Sequence, residues 1–440
     1  MPNPKSNLFA ATVSFAAQGM IRLGGSLILT RILRPEAYGV VSVLLSVMYV
    51  VEMLADIGVT VFVVREPEAE EPRYLNTAWT MRLGRASLSG LVVFFCAPLI
   101  ASLYHEPGLV NPLRIMSLWF LILGLESMSF PLAVRRNQSR LQIYSELTAS
   151  FLSTLFAVVY CYYSRTYWGM VYAILLNRLL ITLISYCFYP QLRPRLQFDA
   201  PAARAILRYT RLTVPSGILT LVLSQFDKVV FLRLFDLRSL GIYALANNIA
   251  APIESLILNI CHVVLFPRCA HDFRTDRVNF LRNYYSHNVK LIAGILLLPA
   301  GVGGMASLII ATLYDPRYAS AAAVLEASML RATLVALATP SEVLLISAGE
   351  PQVILIGSLF RTIWMVVASL AGYHFYGFTG FVWGAASNVL PALIYYLWLQ
   401  SKRGLLIVRY EFGRVLFALA IAIFAHAFAG TLSALSQRLG

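Results

Sequence analysis

Five cations stand inside otherwise apolar stretches of this sequence: Arg22, Arg178, Lys228, Arg331 and Arg361. Lipid cannot solvate them, so they are expected to face one another, an acid or a watered interior. Acids share these surroundings. Glu52 and Glu254 fall near the middle of their stretches, and Asp56 lies one helical turn from Glu52. The three are candidates for ion coupling, as carboxylates able to take up H+ or Na+; a buried ion pair with a cation such as Arg22 is the structural alternative. Glu126, Asp227, Glu326 and Glu342 are similarly placed, while Arg85 and Glu146 lie near segment ends and are expected to snorkel to the interface. A charge at the bilayer centre costs roughly 2.5–3.5 kcal/mol on insertion scales, so the deeper groups must face one another or a hydrated cavity.

Ser14, Gln18, Arg22 and Ser26 recur at every fourth position, one face of a helix, and Ser216, Thr220, Ser224 and Lys228 repeat the pattern. Both polar stripes are expected to line one cavity, although such hydroxyls also suit a hydrogen-bonded seam between helices. Other chemistries find no footing. Cys96, Cys161, Cys187, Cys261 and Cys269 show no C-x-x-C spacing, the six histidines form no H-E-x-x-H set, and no Walker-type phosphate loop occurs. No metal, no cofactor beyond a coupling ion and no enzymatic activity are expected.

The elements that carry these residues are membrane helices. Of 440 residues 59% are hydrophobic and 13% charged, and the apolar ones gather in blocks of about twenty, enough to cross a hydrocarbon core of ~30 Å. They lack the two-residue alternation of barrel strands, so the expected fold class is all-α and polytopic. Spans are predicted near 8–30, 39–64, 83–104, 110–134, 143–163, 166–189, 209–234, 240–266, 286–313, 320–347, 353–375 and 379–400, with 415–435 as a possible thirteenth. The first is too long for a signal-peptide core and is expected to be retained. No predicted loop has room for a folded catalytic domain. Pro299 with Gly301, Gly303 and Gly304, and Pro215, Pro252 and Pro340, are expected to kink their spans.

The net charge of +14 is sorted by loop. Segments on the side of the amino terminus, including 66–82, 190–208 and 267–285, carry most of the Lys and Arg, and the opposite segments, including 31–38, 105–109 and 314–318, carry few. The positive-inside rule then places the amino terminus in the cytoplasm. Basicity reports topology here, and no nucleic-acid partner is expected.

Shifted by 202 residues, the chain aligns with itself: Ser14 meets Ser216, and Arg31, Gly39 and Glu52 meet Arg233, Gly241 and Glu254. Past the loop at 267–285 the offset grows to 210 and then 211, where Gly169, Val171 and Asn177 meet Gly380, Val382 and Asn388. Two six-helix halves follow, an amino-terminal lobe over 1–205 and a carboxyl-terminal lobe over 206–402, with a basic linker and possible thirteenth span over 403–440. An even number of spans per half makes the repeat parallel, about an axis along the membrane normal, with a central cavity between halves.

The run Leu29 to Gly39 (LTRILRPEAYG), Ala55-Asp56-Ile57-Gly58, the segment Asp227 to Ala246 ending GIYALA, and Leu313 to Tyr318 (LYDPRY) together resemble the polysaccharide-type lipid-linked oligosaccharide flippases. That family lies in the multidrug/oligosaccharidyl-lipid/polysaccharide exporter superfamily. The resemblance covers most of the chain; each motif is loose alone and specific in its order. It implies two six-helix lobes, alternating access, and a polyprenyl-pyrophosphate oligosaccharide as substrate, turned across a bacterial inner membrane for surface polysaccharide synthesis; Arg22, Arg178, Lys228, Arg331 and Arg361 would then draw in its anionic pyrophosphate. Implied partners are membrane lipids and polysaccharide assembly proteins. A cation-coupled drug exporter of the same superfamily and a membrane-embedded glycosyltransferase or polymerase are the alternatives; the first would favour an acid-dominated pocket, the second a large external loop.

Overall fold

A computed structural model describes residues 4–56, 58–136, 138, 140–188, 194–208, 234–277 and 279–439. Among the described residues, nine helices are long and apolar enough to cross a membrane, and ten if one bent pair is counted as a span. The backbone must satisfy itself in lipid, which is why apolar blocks become helices. The chain divides into two compact units, Met1–Gly241 and Ile242–Gly440.

In the first unit, α1 (Pro4–Ile32) and α2 (Pro35–Ala55) are parted at Pro35, whose ring suits the first helical turn. The second expected span is broken. α2 stops at Asp56, Gly58 takes a left-handed φ of 64°, and the chain resumes as α3 (Val59–Arg65). After α4 (Pro72–Leu103) comes α5 (Val110–Met116), and the fourth span is broken too, with α6 (Leu118–Leu125) and α7 (Ser129–Arg135) either side of Glu126. α8 (Arg140–Ser164) and α9 (Trp168–Phe188) form a hairpin through Arg165, at φ 56°. Residues 194–199 run over the start of α4, where Asn76, Thr77 and Thr80 accept the N–H groups of Arg195, Asp199 and Gln197, each at 3.1 Å. The seventh expected span falls almost wholly outside the described residues.

α10 (Leu237–Ile260), whose first turn through Gly241 belongs to the first unit and whose remainder belongs to the second, passes through a π-helical turn, Cys261–Leu265, into α11 (Phe266–Thr275). α12 (Phe280–His287) meets α13 (Val289–Gly304) at a 46° bend, and α14 (Ala306–Leu313) follows. Where a kink is expected at Pro299, Gly301, Gly303 and Gly304, the helix runs through Pro299 and ends at Gly304, with Met305 between it and the next; a further break falls at Asn288. α15 (Ala321–Ser347) is the most enclosed span, α16 (Val353–Ala386) folds back at Gly377, φ 59°, and α17 (Leu390–Lys402) leads to α18 (Val408–Leu439), which contains the expected thirteenth span. The other spans turn large apolar side chains such as Phe95 (72% exposed) and Phe424 (74%) outward, as lipid requires.

Candidate functional site

The first unit holds a cavity of about 530 Å³ lined by Glu52, Asp56, Arg82, Arg85, Glu126 and Arg178, with Tyr49 and Gln142 beside them. Its charges come from breaks in helices. Where α6 ends, Pro131 has no N–H to offer the Ser127 carbonyl, and Arg82 donates to that carbonyl at 3.4 Å and to the carbonyl of Glu126. Thr182 donates to the Ile122 carbonyl at 3.1 Å, Tyr186 to the Leu125 carbonyl, and the Ser127 N–H reaches Ser185 Oγ at 3.0 Å. Every one of these contacts serves a backbone group that the break has released into an apolar interior, where leaving it unmet is costly.

The second break follows the same rule. One turn along α4 from Arg82, Arg85 donates to the Glu52 carbonyl in the last turn of α2 at 3.4 Å and lies 3.8 Å from the Asp56 carboxylate. Asp56 in turn accepts the Gly58 N–H at 3.0 Å, closing the turn between α2 and α3. Cations at helix carboxyl ends also answer the negative end of the helix dipole. Glu126 then ties the two α4-facing elements together, with Arg178 of α9 on one oxygen and Arg82 at 3.8 Å from the other. Arg178 lies over the Trp119 ring at 5.6 Å.

Three acids and three arginines give the cavity a balanced charge. The Nε–H groups of Arg82, Arg85 and Arg178 are buried without an acceptor among the described residues, so each guanidinium keeps donor capacity beyond its present partners.

In the second unit, Glu254 pairs with Arg331 at 2.7 Å, and Arg331 also donates to Asn247 Oδ1 at 3.3 Å. Glu342 has Arg361, His262 and Tyr396 as its polar neighbours. The sequence-selected residues are placed within each unit as follows. Glu52, Asp56 and Arg178 share the first-unit cavity; Glu254 and Arg331 form a pair in the second unit, and Arg361 belongs to the Glu342 group there. Arg22 is exposed on α1, Gln18 half-buried and Ser26 buried, and none of them lines the first-unit cavity. The side chains of Ser14, Ser216, Thr220, Ser224 and Lys228 lie outside the described residues, as does Asp227.

Two cavity residues were misplaced by hydropathy. Arg85, expected to snorkel, turns inward because the Glu52 carbonyl and Asp56 are within reach. Arg82, counted with a loop, is only 6% exposed. The available signal was their i, i+3 spacing on one helix opposite Asp-x-Gly and Glu-Ser-x-x-x-Pro, two sequences that break helices. Glu146, the other residue expected to snorkel, accepts a hydrogen bond from Gln142 at 2.9 Å.

A family model described as "Polysaccharide biosynthesis protein" matches residues 28–323. The succinoglycan biosynthesis transport protein ExoT of Rhizobium meliloti (strain 1021) is 27% identical over 240 residues, 54% of this chain and 48% of that one; the aligned region thus spans about half the length of that relative. The lipopolysaccharide biosynthesis protein WzxC of Escherichia coli (strain K12) is 22% identical over 384 residues, 85% of this chain and 75% of that one. Among solved structures, the lipid II flippase MurJ in an inward closed conformation superposes with a TM-score of 0.70 at 12% identity, over 96% of this chain and 98% of that one. An inward-facing multidrug MATE transporter does so at 0.64 and 16% identity, over 88% and 95%. The fold is that of these transporters.

Proposed function

The chain belongs to the polysaccharide biosynthesis protein family, and on that premise we propose that it is a flippase for a polyprenyl-pyrophosphate-linked oligosaccharide. It turns this lipid from the cytoplasmic to the outer leaflet of a bacterial inner membrane by alternating access, supplying surface polysaccharide synthesis. It transports its substrate unchanged, and its amino terminus is cytoplasmic. The names of the two sequence relatives, a succinoglycan biosynthesis transport protein and a lipopolysaccharide biosynthesis protein, support this reading.

The observation that carries it is the set of three arginines around the first-unit cavity, each with an Nε–H that has no acceptor among the described residues. Pyrophosphate is an acceptor-rich dianion or more, and guanidinium forks match its oxygens. At rest the arginines are neutralised by Glu126, Asp56 and Glu52, which lets the charges lie within the bundle without facing lipid. A phosphate that takes Arg178 from Glu126 leaves that carboxylate free to accept a cation. Exchange of partners thus links anion entry to H+ or Na+ uptake at Glu126, Glu52 or Asp56. Arg22, Arg331 and Arg361, and Lys228 with the stripes of Ser14, Gln18, Ser216, Thr220 and Ser224, extend the same polar path in this proposal.

Surface polymer and membrane abundance, measured together, test it. Arg178→Ala should lower export at least tenfold at normal abundance, and Arg178→Lys should retain part of it, because much of the attraction is point charge. Normal export by Arg178→Ala at normal abundance would overturn the site.

A further inference from the structure

Helices α13 and α18 form a wedge in the second unit. At one end they touch: a Cβ on Gly304 would overlap the Ala422 carbonyl and come within 2.7 Å of the Ala425 Cβ. At Gly301 the nearest atom of α18 is an Ile421 methyl at 3.9 Å, and around Gly294 and Gly413 nothing lies within 4 Å. The space between the splayed ends is a cavity of about 500 Å³, walled by Val289, Ile292, Ala293, Leu296 and Phe417.

Its mouth is basic. Arg414 is already held there, donating to Glu411 at 2.8 Å and to the Tyr284 hydroxyl at 3.4 Å, with its guanidinium 5.5 Å above both the Tyr284 and Tyr285 rings. Tyr285 donates to Glu411 at 3.3 Å and fixes the other side. Arg409, which also lines the cavity, is exposed and makes no ion pair or hydrogen bond among the described residues. Neither does Lys290, exposed beside Val289 in the first turn of α13.

We propose that this wedge binds one anionic phospholipid, with an acyl chain between α13 and α18 and the phosphate against Arg409 and Lys290. Water is a poor occupant of walls with so few polar partners. The taper to the Gly304 contact leaves no room for another helix, but a single hydrocarbon chain narrows with it. The volume lies in the ~300–1,000 Å³ range of small-molecule sites. A neutral lipid would fill the walls and leave two cations without a counter-charge, whereas an anionic headgroup answers both. In the orientation proposed above, the mouth opens to the cytoplasmic leaflet; the site itself does not depend on flipping.

Delipidated full-length protein, titrated with phosphatidylglycerol or phosphatidylcholine and followed by native mass spectrometry, tests the assignment. Phosphatidylglycerol should be retained in preference, and Arg409→Gln should weaken its retention about fivefold, the loss of roughly one phosphate–cation contact, without altering phosphatidylcholine. Gly413→Leu should close the mouth to both lipids. Arg208→Gln, which removes an equal charge from the exposed surface of the first unit, should change nothing. Equal retention of the two lipids, no effect of Arg409→Gln, or an equal effect of Arg208→Gln overturns the proposal, and these comparisons stand even if Gly413→Leu does not fold. Displacement of phosphatidylglycerol by equimolar polyprenyl phosphate would assign the wedge to the transported lipid and overturn it as well.

Discussion

Arg82 does two tasks with one guanidinium, closing the carbonyl end of α6 and facing Glu126. Its removal leaves the Glu126 and Ser127 carbonyls unmet in an apolar interior, at about 1–3 kcal/mol for each unsatisfied buried group, while the Glu126 carboxylate keeps Arg178. Arg82→Ala should therefore lower membrane abundance and melting temperature, in contrast to Arg178→Ala, which leaves the helix end closed. Thermal shift of both variants in detergent separates the two roles; equal destabilisation would contradict the distinction. At the loop after α3, Arg135 of α7 donates to the Val63 carbonyl at 3.0 Å and meets Glu70 at 3.1 Å, while Arg136 meets Glu70 at 2.8 Å. The Arg136 hydrogen bond holds the Glu70 carboxyl below its ordinary value of 4.5. Because the folded value is the lower one, this clamp contributes fully above the ordinary carboxyl range and is lost as pH falls through the folded value. Glu70 is well exposed, so the gain is below about 1 kcal/mol. Hydrogen exchange in 66–71 should rise in Glu70→Gln at neutral pH, relative to wild type, and the two proteins should converge in acid.

Close backbone approaches recur at equivalent places in the repeat. A Cβ on Gly39 of α2 would overlap the Leu237 carbonyl in the first turn of α10, and a Cβ on Gly241 would overlap the Pro35 carbonyl and lie 3.0 Å from Gly39 N. Pro35 and Leu237, like Gly39 and Gly241, are 202 residues apart. In the two hairpins, Gly169 lies against Cys161 and Gly380 against Gly372, both pairs matched at an offset of 211. At Gly39 and Gly241 the atom met is a neighbour's backbone carbonyl, which leaves no room for a side chain at either position. Gly39→Ala and Gly241→Ala should each cost about 1–3 kcal/mol as overpacking. Gly84→Ala, in the middle of α4 with nothing within 4 Å, should instead be neutral or stabilising by up to about 1 kcal/mol. Heat-challenge size exclusion reads all three, and tolerance of both alanines at 39 and 241 would remove this packing argument. The order of the spans was legible in the sequence because apolar blocks of that length have one solution in lipid. Their breaks were not. Hydropathy stays high through Asp56-Ile57-Gly58 and Glu126-Ser127, and a window of about twenty residues averages a turn of three into the span around it. The site suffered the same loss: Glu52, Asp56 and Arg178 were readable as charges in apolar company, but Arg82 and Arg85 acquire their roles only from carbonyls that the breaks expose.

For the whole chain, the sorting of cations makes a claim about sides that the fold alone does not contain. The basic segments include exposed Arg204 and Arg274, and the sparse segments include exposed His105 and Arg165. A polytopic chain inserts so that short Lys- and Arg-rich loops stay in the cytoplasm, and the bias acts loop by loop rather than through net charge. Single cysteines introduced into a cysteine-free background report each side directly. His105→Cys and Arg165→Cys should react with a membrane-impermeant maleimide in intact spheroplasts, while Arg204→Cys and Arg274→Cys should react only after permeabilisation. The first two positions along the chain are expected on one face and the last two on the other, so a consistent inversion would reverse the orientation and with it the proposed direction of lipid transfer. A mixed pattern would instead change the number of crossings. Labelling of Arg204→Cys from outside, with Arg165→Cys protected, is the result that would place the amino terminus outside the cytoplasm.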